Sequence, residues 1–366
     1  MPALAAFVAS RLLLEVAMAW SLSHRPLYSS VGHWQAYPDN PWLDGWVRWD
    51  SAWYISIFVE GYRFEPGVPC NATFFPLYPF VAGLLSRPLA LMLGQPTAFH
   101  VAALLVSNVA FLLGGVGMLR LGRSLVGEEA ARRAIWLLCF YPFSFFFSAL
   151  YTEGLFFCLV VWAFVFGRES RWGAAFFVAG LSLLCRPHGV VVAAALSMQY
   201  ARSTGLPRRR LHLRDGVVGW IACGLGALLL FYAYRLGHPL AFIEAQASWV
   251  GGHPGLLAEI GHIPADSLFD AVRKGVSLIV LLACMATSLP IARRYGPGYG
   301  LLTFLSVMLT GWSSLDSLGR YGGVAFPAFL FGGERLHGWR FGVVLLSSAI
   351  LMVTFGIGFA RWMHMF

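Results

Sequence analysis

The chain has 366 residues, 58% of them apolar, with 26 basic and 17 acidic side chains that together make up 12% of the sequence. A soluble domain carries about 25% charged residues, so this composition excludes an ordinary soluble enzyme, a disordered chain and a nucleic-acid-binding module. What remains is an all-α, polytopic membrane protein in which each span uses about 20 apolar residues.

Apolar segments are predicted at 3–22, 74–93, 97–119, 132–149, 153–167, 172–185, 189–201, 216–235, 276–292, 299–312, 322–333 and 340–360. The first lacks the basic leader of a cleavable signal and carries Arg11 and Glu15, which read as an internal pair one helical turn apart. Pro76, Pro79 and Pro88 each remove a backbone donor from 74–93 or its start, which is therefore expected to be interfacial or re-entrant rather than spanning. With the N-terminus cytoplasmic, the connections after 119, 167, 201, 292 and 333 then face the cytoplasm. They hold Arg120, Arg123, Arg132, Arg133, Arg168, Arg171, Arg202, Arg208, Arg209, Arg210, Arg214, Arg293, Arg294, Arg335 and Arg340, as the positive-inside rule requires. All basic residues but Lys274 are arginine, and the net charge of +9 reads as anchoring at an anionic leaflet rather than nucleic-acid binding. The prediction is one domain over 1–366 with about eleven spans and two long exoplasmic loops, 23–73 and 236–275. Most of the acids fall on that outer side. The six cysteines are scattered without paired spacing and read as small membrane-core residues.

Five constellations can carry chemistry. In Arg48-Trp49-Asp50-Ser51-Ala52-Trp53-Tyr54, followed by Gly61-Tyr62, the residues Asp50, Trp53, Tyr54 and Ile57 share one helical face. Trp and Tyr favour the membrane–water boundary, so a short interfacial helix is expected. Asp50 is either its N-cap or a carboxylate at headgroup depth acting on a lipid-linked substrate. Phe74-Phe75-Pro76-Leu77-Tyr78-Pro79 is an aromatic, proline-broken interfacial stretch. Glu153, in Tyr151-Thr152-Glu153, is either a paired acid near the bilayer or a helix-start acid favoured by the macrodipole. Arg186-Pro187-His188-Gly189 and Leu318-Gly319-Arg320-Tyr321 place two arginines on the outer side, away from the cytoplasmic set. A guanidinium fits phosphate in a bidentate fork; anchoring, or a salt bridge to Glu153 or Asp316, is the plainer role. His188 alone reads as a structural histidine. The sequence has no Walker-type phosphate loop, no Asp-x-Asp pair and no metal-ligand spacing, so neither nucleotide hydrolysis nor a metal site is expected.

These motifs occur in one order with Gly237-x-Pro239-Leu240-Ala241-Phe242, Ala245-Gln246, Trp249, and Arg320-Tyr321 followed by Pro327. The ordered set, over about 3–335, resembles the second mannosyltransferase of GPI-anchor assembly, the PIG-V family, and its prokaryotic relatives within the GT-C class of integral membrane glycosyltransferases. The resemblance implies a helical GT-C core with juxtamembrane helices in the first exoplasmic loop. It implies transfer with inversion from a polyprenyl- or dolichyl-phosphate sugar, usually mannose, to a glycolipid or glycan hydroxyl, without a cofactor. Carried over residue by residue, Asp50 becomes the base or the group orienting the acceptor, and Glu153 the second catalytic candidate. Arg186, Arg320 and Tyr321 become donor-phosphate ligands; Arg48, Trp49, Trp53, Tyr54, His188, Gln246 and Trp249 surround the substrate. The family more often has Asn at His188, and relatives often have Asp at His238. The expected location is the exoplasmic face of a cell inner membrane, or of the endoplasmic reticulum in a eukaryote. The alternative is a transporter or flippase of polyprenyl-linked glycolipids, because the short pair 172–185 and 189–201 around Arg186-Pro187-His188-Gly189 has the form of a broken midplane helix.

Overall fold

The computed structural model describes residues 2–28, 34–205, 216–250, 255–263, 267–311, 314–363 and 365. Arg208, Arg209, Arg210, Arg214 and Asp266 lie outside the described residues. The architecture is all-helical. The first helix, α1 (Pro2–His24), is followed by short α2 (Pro41–Asp44) and α3 (Ser51–Glu60) in the first long loop. A 3₁₀ turn at Asn71–Thr73 leads into α4 (Leu77–Leu93), α5 (Thr97–Val126) and α6 (Glu128–Cys139). A second 3₁₀ turn, Ser144–Phe147, precedes α7 (Glu153–Arg168), α8 (Trp172–Leu183) and α9 (Gly189–Thr204). The second half holds α10 (Val217–Leu236), α11 (Ala241–Val250), α12 (Leu256–His262), α13 (Leu268–Arg294) and α14 (Pro297–Gly311). It ends with α15 (Leu318–Gly322), α16 (Phe326–Arg335) and α17 (Gly338–Ala360). Among the described residues, five helices are long and apolar enough to cross a membrane: α1, α5, Gly219–Leu236 of α10, α13 and α17. The chain is an integral, multi-pass membrane protein. Helix α4, expected not to span, is 17 residues long; at 1.5 Å per residue it falls short of the ~30 Å hydrocarbon core.

Helix α5 packs against α4, α6 and α7; α7 continues onto α8, and α8 onto α9 and α10. On the other side α9 meets α14, α14 meets α13, α16 meets α6, and α1 meets α17. Between lipid tails, hydrophobicity gives helices little reason to associate, and close contact depends on small residues. Buried Ala103, Ser107, Ala110, Gly114 and Gly117 recur every three or four residues along α5, making a smooth groove for α7. The approach is so close that a Cβ on Gly154, at the start of α7, would sit 2.3 Å from the Ser107 carbonyl oxygen. Helices α8 and α10 meet in the same way at Gly180 and Gly224.

Two expectations are corrected. The predicted segment 132–149 is not one helix: α6 stops at Cys139, just before Pro142, and residues 140–152 continue as buried turns. Such irregular backbone is tolerated at depth only inside protein. Here Phe143, Phe145, Phe146 and Phe147 enclose it. Arg11 from α1 donates to the Cys139 and Ser144 carbonyls at 3.0 and 2.9 Å and to the Ser144 and Ser148 hydroxyls. With the Ser144 hydroxyl, which also donates to the Cys139 carbonyl, it supplies donors where the helical ladder of α6 has ended. This is also why Arg11 and Glu15 are not the expected pair. Glu15 instead accepts a 2.6 Å hydrogen bond from the Trp46 indole.

Candidate active site

The first loop is secured from beneath. Arg48 is fully buried, pairs with Asp44 and donates to the backbone carbonyls of Asp44, Val47 and Ala360. Burial alone would raise the Asp44 carboxyl pKa, but the bond and charge of Arg48, with the Tyr37 amide and Gln35, hold it below the ordinary carboxylate range. Trp49 follows with φ +52°, a backbone region that side chains other than glycine rarely adopt. The Tyr151 hydroxyl spans this turn, accepting from the Asp50 amide at 3.1 Å and donating to the Arg48 carbonyl at 3.2 Å. Tyr151 is itself tied to α5 by the Ser107 hydroxyl, which donates to its carbonyl at 3.0 Å.

Asp50 occupies the N-cap position of α3, yet its side chain makes no capping bond. Its carboxylate instead accepts from Arg320 Nη1 at 2.6 Å. Of its two readings, the N-cap is thus realised only in position. Glu153 combines both of its readings: it opens α7 and pairs with Arg186 at 2.5 Å. Arg186 also donates to the Thr152 hydroxyl at 3.1 Å, and Arg320 Nε lies 3.8 Å from the same Glu153 oxygen. Asp316, the other partner considered for these arginines, pairs with Arg273 at 2.8 Å. Burial works against a charged Arg320, but the facing Asp50, Tyr321 and Glu153 outweigh it and raise its pKa above the ordinary value. The Tyr321 ring lies under both cations, 4.6 Å from the Arg186 carbon and 5.5 Å from that of Arg320, and stacks on His188 at 4.3 Å.

These side chains line one cavity of about 330 Å³. Of the residues nominated from sequence, Asp50, Tyr54, Glu153, Arg186, Gln246, Trp249, Arg320 and Tyr321 form its wall. His188 supports it through Tyr321, and Trp53 through Trp249 and Phe74, at 5.4 and 6.0 Å. Arg48 and Trp49 do not line it; Arg48 is taken up by backbone carbonyls, and Trp49 packs on Trp362 at 5.1 Å. Their place is in the support of the loop. Sequence reasoning missed Thr73, Ser314 and Ser317, while Tyr151 and Thr152, quoted only as the flank of Glu153, line the cavity too. Ser317 was findable, since it precedes Arg320 by three residues at the head of α15. Thr73 carried no such signal; its turn is set by Asn71, whose buried amide bonds Ser56 and the Gly61 carbonyl and accepts from the Arg63 amide. With its side chain so occupied, the Asn71-Ala72-Thr73 sequon has a structural use here. Among the described residues no group of three or more His, Cys, Asp or Glu is placed to hold a metal ion.

The arrangement can hold an anion on two guanidiniums while presenting two carboxylates to it, all four side chains being largely buried. The fold is similar to that of ArnT from Cupriavidus metallidurans, solved bound to undecaprenyl phosphate: TM-score 0.55 at 17% identity, covering 94% of this chain and 62% of that one. It is also similar to the oligosaccharyltransferase of Archaeoglobus fulgidus in its apo form, with TM-score 0.50 at 14% identity, covering 97% and 56%. The likeness shows the fold, a helical membrane architecture like that of these GT-C-type neighbours.

Residues 4–208 match the family model described as Mannosyltransferase (PIG-V), and the chain belongs to that family. A curated relative, GPI mannosyltransferase 2 of Drosophila pseudoobscura pseudoobscura, is 26% identical in an alignment of 221 residues that covers 54% of this chain. The match spans about half, 47%, of that relative's length.

Proposed function

We propose that this protein is an inverting glycosyltransferase, moving a mannosyl-type sugar from a polyprenyl- or dolichyl-phosphate donor to an acceptor hydroxyl on the exoplasmic face. The observation that carries the reading is the convergence of Asp50, Glu153, Arg186 and Arg320 on one cavity, from four segments far apart in sequence. Asp50 takes the proton of the acceptor hydroxyl. The acceptor oxygen bonds to the anomeric carbon as the bond from that carbon to the phosphate oxygen breaks. The electron pair leaves on the lipid phosphate, whose growing charge is met by Arg186 and Arg320. Glu153 holds Arg186 in place and keeps a second acceptor at the cavity wall. The exoplasmic assignment rests on the arginine-rich connections, which the positive-inside rule puts on the opposite face.

The test uses purified protein in lipid nanodiscs with radiolabelled polyprenyl-phosphate mannose and a lipid extract of the source membrane as acceptor. Label moving to a new lipid, with release of polyprenyl phosphate, is the expected result. Lipid translocation in liposomes without any sugar transfer would overturn it in favour of transport. A membrane-impermeant thiol reagent applied to right-side-out vesicles, with a single Cys placed at Gly67, tests sidedness: modification is expected.

A further inference from the structure

The charged side chains of the cavity are ion-paired with one another, but two of its other lining groups are not so matched. Thr73 Oγ1 and Trp249 Nε1 are both buried from solvent and neither has a hydrogen-bond partner among the described residues. Both line the cavity. Buried hydroxyl and indole N–H groups are nearly always hydrogen-bonded, so two orphans on one wall need an explanation. Their positions are rigidly built. The Asn71–Thr73 turn is pinned by the three Asn71 bonds, and the Tyr232 hydroxyl donates to the Ala72 carbonyl at 2.8 Å. Helix α11 packs against this turn and brings Gln246 and Trp249, three residues apart, to the cavity on one face. Trp53 and Phe74 brace Trp249 edge-on at 5.4 and 6.4 Å.

We propose that Thr73, Gln246 and Trp249 form the subsite that reads the hydroxyl groups of the transferred hexose, and so set which sugar the protein accepts. Hydroxyl donors and acceptors beside aromatic rings are the chemistry that recognises a sugar ring, apolar on its C–H face and polar at its rim. The inference rests on the donor reading given above, since the hexose is bonded directly to the phosphate that the arginines hold. The cavity, about 330 Å³, is at the small end for ligand sites, which suits one phosphate and one ring rather than a glycan. A site built to bond a hydroxyl discriminates strongly against a ligand without it, because its own buried groups are then left unpaired.

The test compares dissociation constants for polyprenyl-phosphate mannose and bare polyprenyl phosphate, for protein in nanodiscs. Wild type should bind the sugar-bearing lipid more tightly. Thr73→Val and Trp249→Phe, which remove one hydroxyl and one N–H with little change of shape, should each cut that advantage about fivefold, the worth of one neutral hydrogen bond. Binding of bare polyprenyl phosphate should be unchanged, and Thr73→Ser should restore the advantage. Unaltered preference for the sugar in both variants would overturn the subsite, as would an equal loss for both lipids. Octyl mannoside, a hexose without phosphate, separates donor from acceptor: a loss confined to that probe would assign the wall to an acceptor sugar and overturn the inference. Failure of wild type to bind either lipid would sink the donor reading itself, and this inference with it.

Discussion

Asp50 and Arg320 stand 270 positions apart in sequence and meet in a 2.6 Å bond between carboxylate and guanidinium. Neither residue is where it is by local preference. Asp50 is set by the Tyr151 hydroxyl beneath its amide, and Arg320 by α15, a helix of five residues. The contact therefore depends on the whole fold.

Replacing Asp50 with Asn keeps the shape and removes the proton acceptor. Sugar transfer from polyprenyl-phosphate mannose should fall at least about 100-fold, the lower range for a positioned general base. The thermal midpoint in detergent should stay close to wild type. Full transfer activity in the variant would remove Asp50 from the chemistry.

Arg186 and Glu153 are a buried pair, with side-chain exposures of 9% and 3%. Removing one partner strands the other charge, at a cost of about 3–5 kcal/mol, whereas removing both costs far less. Arg186→Met and Glu153→Gln should each lower the midpoint of thermal unfolding, and the double variant should recover much of the loss while staying inactive. Additive losses would show that the pair is not coupled.

Gly154→Ala tests the contact between α5 and α7. Its Cβ would press on backbone at 2.3 Å, with no flexible side chain to yield. A destabilisation of about 1–3 kcal/mol is expected from overpacking, together with reduced transfer because Glu153 is the adjacent residue. Gly115→Ala, on the same α5 but with open space around its Cβ, is the control and should be neutral.

Asp44, held below its ordinary pKa largely by Arg48, gives a pH signature. A carboxylate with a depressed native pKa contributes stability above its unfolded value of about 4, and that contribution is lost as the pH falls through the lower native value. Thermal midpoints followed from pH 7 to pH 3 should fall in wild type. Asp44→Asn should start lower and lose less over the same interval.

Much of this architecture was legible in the sequence. The apolar runs that became α1, α5, α10, α13 and α17 are long and carry few charges. The run 132–149 misled because its aromatic composition is that of a span, while its turn depends on Pro142 and on Arg11 reaching over from another helix. The short helices α11 and α12 lie in a loop whose pattern does not separate a half-buried helix from a connection. In the site, charges inside an apolar chain stand out, so Asp50, Glu153, Arg186 and Arg320 could be nominated singly. A salt bridge from these arginines to Glu153 is among the sequence readings and is present, whereas the pairing of Arg320 with Asp50 was not legible, because it joins segments that only the fold brings together. Arg48 shows the reverse case, an arginine in a promising motif whose donors are consumed by backbone carbonyls.

With two carboxylates and two guanidiniums in mutual contact, the cavity is electrically balanced before anything binds. On the function proposed above, an incoming phosphodiester would take arginine away from Asp50 and Glu153 rather than fill an empty positive hole. The exchange works as an interlock. On that same function, a phosphate that claims Arg320 would release Asp50 beside the acceptor at the moment a leaving group is present. On that reading, the same bond that assembles the site would also discourage idle activation of water.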